Sequence, residues 1–124
     1  MPARTVARLM EAINAGDLDC AVALYEKDAV LVAQPGALTR GTAELRGALA
    51  GFIAMKAKLE TKAEQVIEAG DIALYVGRWS LQGAWPDGAP IAMSGESADV
   101  LRRQKDGSWL IALDNPWGAQ ILPG

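Results

Sequence analysis

The sequence predicts an α+β domain in which helices come first, a long antiparallel meander follows, and the helices gather on one face of the sheet. Three observations lead there. Apolar residues recur at helical spacing in the first part of the chain, the period changes to two from about residue 60, and the two-period stretches are separated by turn sequences rather than by helices. That last feature excludes a βαβ parallel sheet.

Val6, Leu9, Met10 and Ile13 fall at i, i+3, i+4 and i+7, so residues 2–14 read as an amphipathic helix that tolerates Pro2 in its first turn and ends at Ala15-Gly16. Asp17 is an N-cap for a second short helix, in which Leu18, Ala21, Val22 and Tyr25 repeat the spacing. The run Ala29-Val30-Leu31-Val32-Ala33 is too short for a helix, is rich in β-branched residues and stops at Gln34-Pro35-Gly36, which predicts a buried strand followed by a loop to Gly41. Thr42 caps a third helix whose stripe is Leu45, Ala48, Leu49, Phe52 and Ile53 and which ends near Lys58. Strands over 60–69, 71–84 and 90–104 follow, divided by Gly70-Asp71 and Trp85-Pro86-Asp87-Gly88. Lys105-Asp106-Gly107-Ser108 then makes a tight hairpin into a last strand, Trp109 to Asp114.

A chain of 124 residues is the length of one domain, 1–124, and its 51% hydrophobic content fits a globular core. The net charge of −3, with no basic run longer than Arg102-Arg103, argues against nucleic acid as a partner. The longest apolar stretch, Ala48 to Met55, is far below the ~20 residues a membrane helix needs, and the start of the chain lacks a signal-peptide pattern; both predict a cytoplasmic protein without a membrane partner. The one cysteine, Cys20, cannot close an intrachain disulfide and reads as a buried inert thiol. With no histidine there is no imidazole base, no Ser-His-Asp triad and no His-ligated metal, so acid–base chemistry falls to carboxylates, Tyr or Lys. No metal or other cofactor is expected.

The ordered set Asn14-Ala15-Gly16-Asp17-Leu18-Asp19, Ala23-Leu24-Tyr25, Asp28-Ala29-Val30, Arg40-Gly41-Thr42 and Asp106-Gly107-Ser108-Trp109, closing on Leu113-Asp114-Asn115-Pro116-Trp117-Gly118, resembles the nuclear transport factor 2-like superfamily, especially its SnoaL-like and steroid isomerase-like bacterial members. The resemblance covers nearly the whole chain. It implies a strongly curved sheet and three helices that form a cone around an apolar pocket, and a homodimer. The fold hosts isomerases, cyclases, dehydratases, binding proteins and association modules, so it leaves function open. Of the steroid isomerase residues, the oxyanion tyrosine falls at Leu9, and the general base falls in Ala33-Gln34-Pro35, at Ala33. The third, a carboxylic acid kept protonated by an apolar site, aligns with Asp99. Without a base near the substrate proton, that isomerase mechanism lacks its acceptor.

Alternation places Tyr75, Gly77, Trp79 and Leu81 on one face of their strand and Ile72, Leu74, Val76 and Arg78 on the other. Met93, Gly95, Ser97, Asp99 and Leu101 share a face, as do Trp109, Ile111, Leu113 and Asn115. Tyr75, Trp79, Asp99 and Asn115 are therefore expected to point into the cone, with Asp99 the candidate acid. Two plainer roles compete: Tyr75 and Trp79 as core filler, and Asp99 facing solvent or the dimer partner and pairing with an arginine such as Arg78 or Arg103. Gln34 either replaces the missing base as a neutral hydrogen-bonding group or belongs to a turn. Trp109 reads as a hairpin anchor, Trp85 and Trp117 ring the pocket mouth or a dimer interface, and Glu60, Lys62, Glu64 and Glu68 read as the solvated face of their strand. These readings predict a homodimer whose pocket binds a small, largely apolar molecule, with isomerase- or cyclase-type proton transfer as its chemistry if it is an enzyme. The alternative is a non-catalytic homodimerising association or binding module.

Overall fold

The computed structural model describes residues 1–123. Three helices, α1 (Pro2–Ala15), α2 (Leu18–Ala23) and α3 (Gly41–Ala54), precede or interrupt the strands β1 (Tyr25–Gln34), β2 (Ala37–Arg40), β3 (Lys58–Ala69), β4 (Ile72–Ala84), β5 (Pro90–Arg103) and β6 (Trp109–Asp114). The six strands form one sheet in the order β2-β1-β6-β5-β4-β3. Every neighbouring pair is antiparallel except β1 with β6, which run parallel. The α+β order read from the sequence is therefore the observed one, with a single parallel pair inside a mostly antiparallel sheet. Among the described residues no helix is long and apolar enough to cross a membrane.

Helix α1 buries Val6, Leu9, Ala12 and Ile13 against the sheet, the four positions that a 3.6-residue period brings to one side. It stops at Gly16, whose φ of 76° is the left-handed conformation glycine adopts without strain, and the Gly16 N–H returns to Ala12 and Ile13 carbonyls. Asn14 fixes the helix end on β3: its Nδ2 donates to the Leu59 carbonyl at 2.9 Å and its Oδ1 accepts from the Leu59 N–H at 2.7 Å. Tyr75, Leu31, Leu45, Leu49, Leu101 and Ile111 are the largest side chains buried almost completely between helices and sheet.

The boundaries differ from the sequence reading in instructive places. Tyr25 is not in α2 but opens β1, because the Leu24 carbonyl accepts from the Ile111 N–H at 2.9 Å and Tyr25 pairs with Ile111; pairing with β6 outweighs local helical spacing. The segment before Gly41 is not a loop but β2, folded back on β1 through Pro35-Gly36. Helix α3 begins at Gly41, before Thr42, whose hydroxyl donates to the Lys27 carbonyl instead of capping; Glu44 reaches back to the Arg40 N–H at 3.1 Å. It ends at Ala54 rather than near Lys58, since Lys56 turns left-handed at φ 52° and Lys58 joins β3. Cys20 is exposed, not buried: in the six-residue α2 it is Ala21 that faces the core.

Of the register shifts in the sheet, those on β3 and on β6 change which side chains face the site. One lies in β3 between Thr61 and Ala63. It moves Glu64 onto the face of Tyr75, so Glu64 is not part of a purely solvated stripe; it accepts a 2.7 Å hydrogen bond from the Tyr75 hydroxyl. The other lies between β5 and β6, where Leu101 pairs with Ile111 but Val100 pairs with Leu113. The extra residue on β6 reverses the order of faces: Leu113 turns outward and is exposed, while Asp114 turns inward.

Candidate functional site

Between α1, α3 and the inner face of the sheet lies an apolar cavity of about 100 Å³. Helix α1 contributes Val6, Leu9, Met10 and Ile13 to its wall, and α3 contributes Leu49 and Phe52. The sheet contributes Tyr75, Trp79 and Asp99 as its alternation predicts, together with Tyr25 and Asp114. The glycines opposite the aromatic side chains make the space for them. A Cβ on Gly77 would stand 2.7 Å from Tyr75 Cε1, and one on Gly95 would stand 2.9 Å from Trp79 Cζ2, so each ring occupies space that a side chain there would take.

The polar end of the cavity is built from strands β1, β5 and β6. Asp99, 5% exposed, accepts the Asn115 backbone N–H on Oδ1 at 2.8 Å. The Asp114 carboxyl lines the same end of the cavity and acts on it electrostatically. Asp114 Oδ2 in turn accepts a 2.5 Å hydrogen bond from the Tyr25 hydroxyl. Neither arginine considered as a partner reaches Asp99: Arg78 pairs with Glu96 at 3.1 Å, and Arg103 pairs with Asp71 at 2.5 Å while lying over the Trp109 ring. Asp99 is thus a buried acid whose closest charged neighbour is another acid.

Burial first, then the negative charge of Asp114, push the Asp99 carboxyl well above the ordinary carboxylate range, against the opposing Asn115 hydrogen bond. Burial also raises Asp114, but the hydrogen bond from Tyr25 favours its charged form and pulls it back. The two carboxyls titrate as one interacting pair, both raised, and Tyr25 donates to the Asp114 side of it. Tyr25 is held neutral by burial and by Asp114, and Tyr75 by burial and its hydrogen bond to Glu64. The arrangement can accept a hydrogen bond or hold and return one proton.

Asn115 and Gln34 do not join this site. The Asn115 side chain is spent on the C-terminal turn, donating to the Gly118 carbonyl at 3.1 Å and accepting from the Trp117 N–H at 3.3 Å; only its backbone serves Asp99. Gln34 is exposed at the end of β1, paired with Ala37 across a two-residue turn, and it does not line the cavity. The tryptophans separate clearly. Trp117 closes the cavity, edge-on to Trp79 with ring centroids 5.9 Å apart and its Nε1 donating to the Val32 carbonyl, whereas Trp85 is exposed in the β4–β5 turn. Trp109 is buried in the main core at the start of β6. Asp114 and Tyr25 are the site residues that periodicity did not find; the bulge hides one and the α2–β1 boundary the other.

Residues 6–111 match the family model of the SnoaL-like domain. The chain belongs to the SnoaL-like family. Its fold is that of the nuclear transport factor 2-like superfamily, as solved structures show. A nuclear transport factor 2-like superfamily protein from Salmonella enterica serovar Typhimurium superposes with a TM-score of 0.81 at 16% identity, covering 90% of this chain and 84% of that one. A proposed ketosteroid isomerase from Shewanella frigidimarina gives 0.78 at 21% identity over 90% of each chain. A proposed calcium/calmodulin-dependent protein kinase II association domain from Xanthomonas campestris gives 0.79 at 19% identity, covering 91% and 81%. At such identities these likenesses establish the fold alone. A comparison with curated proteins finds no match. In this SnoaL-like domain Leu9, where the resemblance would place an oxyanion tyrosine, is part of the apolar wall, and Ala33 is not among the cavity residues. Its polar end is instead the cluster of Tyr25, Asp114 and Asp99.

Proposed function

We propose that this SnoaL-like domain takes one small, largely apolar molecule into the cavity, with the ligand's polar end against Asp99 and Asp114. The observation that carries this reading is the pairing of an apolar cavity with two buried carboxyl groups that no cation among the described residues pairs with. Burying such groups is costly unless they serve something, and perturbed carboxyls in a cleft are candidate functional groups. Proton transfer of the isomerase or cyclase type is the chemistry this pair suits. Asp114 would be the proton acceptor that the sequence lacked at Ala33, and Asp99 the acid beside it. Tyr75, Trp79 and Trp117 would hold the ring.

Native mass spectrometry of the purified protein, combined with tryptophan fluorescence titrations of single-ring probes, tests the reading. Wild type should retain an adduct or change its emission saturably, and Trp79→Ala should lose that response. A chain with neither adduct nor response overturns it.

A second reading, an association module, is favoured by the outer face of the sheet. Ile67, Leu74, Val100 and Leu113 form a row across β3, β4, β5 and β6, with Val76 beside it, and all but Val100 are exposed, from 37% at Leu113 to 58% at Ile67. A second copy of the chain would cover this row, and the adjacent Arg78 and Glu96 offer self-complementary charges at its margin. The two readings are compatible, because the cavity opens on the opposite face. Sedimentation of wild type against Leu74→Asp decides it: a dimer that the substitution turns into a monomer supports the interface, and a wild-type monomer refutes it.

A further inference from the structure

We propose that the ligand is a single-ring amine, an apolar ring bearing a protonated amino group that docks on the Asp99–Asp114 pair. This rests on the pocket reading above and adds the ligand's size and charge.

The size follows from the cavity. At about 100 Å³ it is smaller than the ~150 Å³ cavity that holds one benzene, so a single ring is the upper limit of what it takes and fused polycycles are too large.

The polarity follows from the donors, each of which is already engaged. Trp79 Nε1 donates to the Pro116 carbonyl at 2.7 Å and Trp117 Nε1 to the Val32 carbonyl at 3.1 Å. The Tyr25 hydroxyl donates to Asp114 and the Tyr75 hydroxyl to Glu64. The Thr61 hydroxyl donates to Met10 Sδ and the Ser97 hydroxyl to the Gly77 carbonyl. What remains open to a ligand is acceptor capacity, on the two carboxyl groups and on the hydroxyl oxygens, so the ligand's polar group must be a donor. A ketone would have to take a proton from the pair, and a carboxylate would face two acids.

The charge follows from what faces the pair. Helices α1 and α3 bring only apolar side chains to the cavity, β1 brings Tyr25 and Leu31, and β3 brings Leu59 and Thr61. The one cationic residue in the wall, Arg78, is directed outward to Glu96 with 61% of its side chain exposed. Arg102 is engaged with Glu26, and Arg103 with Asp71. Among the described residues no cation of the chain neutralises the pair; an ammonium group would, and the faces of Tyr75, Trp79 and Trp117 favour a cation beside them.

Isothermal titration of the full chain at pH 7 with benzylamine, benzyl alcohol, acetophenone, benzoate and toluene tests this. Benzylamine should bind about tenfold or more tighter than any of the others, the ratio expected when a charged hydrogen bond is gained. Asp114→Asn should erase that advantage, bringing benzylamine to the affinity of benzyl alcohol. Toluene binding as tightly as benzylamine, or acetophenone or benzoate binding more tightly, overturns the amine assignment and leaves the pocket intact. Absence of binding by all five overturns both. The ranking on wild type is decisive even where Asp114→Asn does not fold.

Discussion

The hydroxyl of Tyr25 is the most direct probe of the acid pair, because Tyr25→Phe deletes one oxygen from a ring that is 5% exposed and otherwise keeps its packing. The lost bond runs to Asp114 Oδ2 at 2.5 Å. Below the ordinary aspartate value of ~3.9, Asp114 is protonated in folded and unfolded chains alike, and the bond joins two neutral groups, worth about 1 kcal/mol. Above the folded-state titration of Asp114 it joins a phenol to a carboxylate, worth about 1.5–3 kcal/mol. Since the Tyr25 bond pulls the Asp114 pKa down, its removal raises that pKa further, and the deficit must grow as pH rises. For 124 residues an unfolding entropy of about 2.1 cal/mol/K per residue makes a 2 kcal/mol loss at neutral pH about 8 °C in Tm. Urea and thermal unfolding of both chains at pH 4 and pH 8 read this directly. A loss that is equal at the two pH values, or below about 0.5 kcal/mol at pH 8, refutes the claim that Tyr25 supports a buried carboxylate.

Further outcomes follow from the same geometry. Because burial and mutual repulsion raise Asp99 in the folded state, the folded chain binds more protons than the unfolded one above pH ~3.9, so wild-type stability should fall as pH rises from there, by about 1.4 kcal/mol per unit of folded-state shift. Asp99→Asn, whose amide can accept from the Asn115 N–H as the protonated acid does, should flatten that slope in denaturant titrations across pH 4–9; an unchanged slope assigns it to other groups. Gly77→Ala places a Cβ 2.7 Å from Tyr75 Cε1, and because Tyr75 is buried and tied to Glu64 it should cost about 1–3 kcal/mol by overpacking, measured by urea unfolding. A neutral outcome would mean that the ring swings aside freely. Trp117→Ala removes the edge contact to Trp79 and the bond to the Val32 carbonyl, and should blue-shift or brighten nothing that depends on ligand: probe-induced fluorescence changes should be lost, whereas persistence of the wild-type response would show that Trp117 does not close the cavity.

Much of this protein is legible in its sequence because two periods are local properties. The 3.6-residue spacing of Val6, Leu9 and Ile13 fixes the buried stripe of α1 wherever the helix lands, and strict alternation over β4 and β5 puts Tyr75, Trp79 and Asp99 on one face as soon as that face is the apolar one. The family follows from the same order of motifs. The site's second acid was hidden because a bulge is set by how two distant strands meet: pairing of Val100 with Leu113 and Leu101 with Ile111 inserts one residue and turns Asp114 inward, and no local pattern in Leu110-Ile111-Ala112-Leu113-Asp114 marks the step. Tyr25 was hidden for a related reason, since its helical spacing is real but the hydrogen bond between Leu24 and Ile111 makes it a strand residue. The sequence by itself determined which residues prefer the interior, through hydrophobicity and period. Only the tertiary structure decided which polar groups share that interior, because register across strands, not preference along the chain, brings Tyr25, Asp99 and Asp114 to one point.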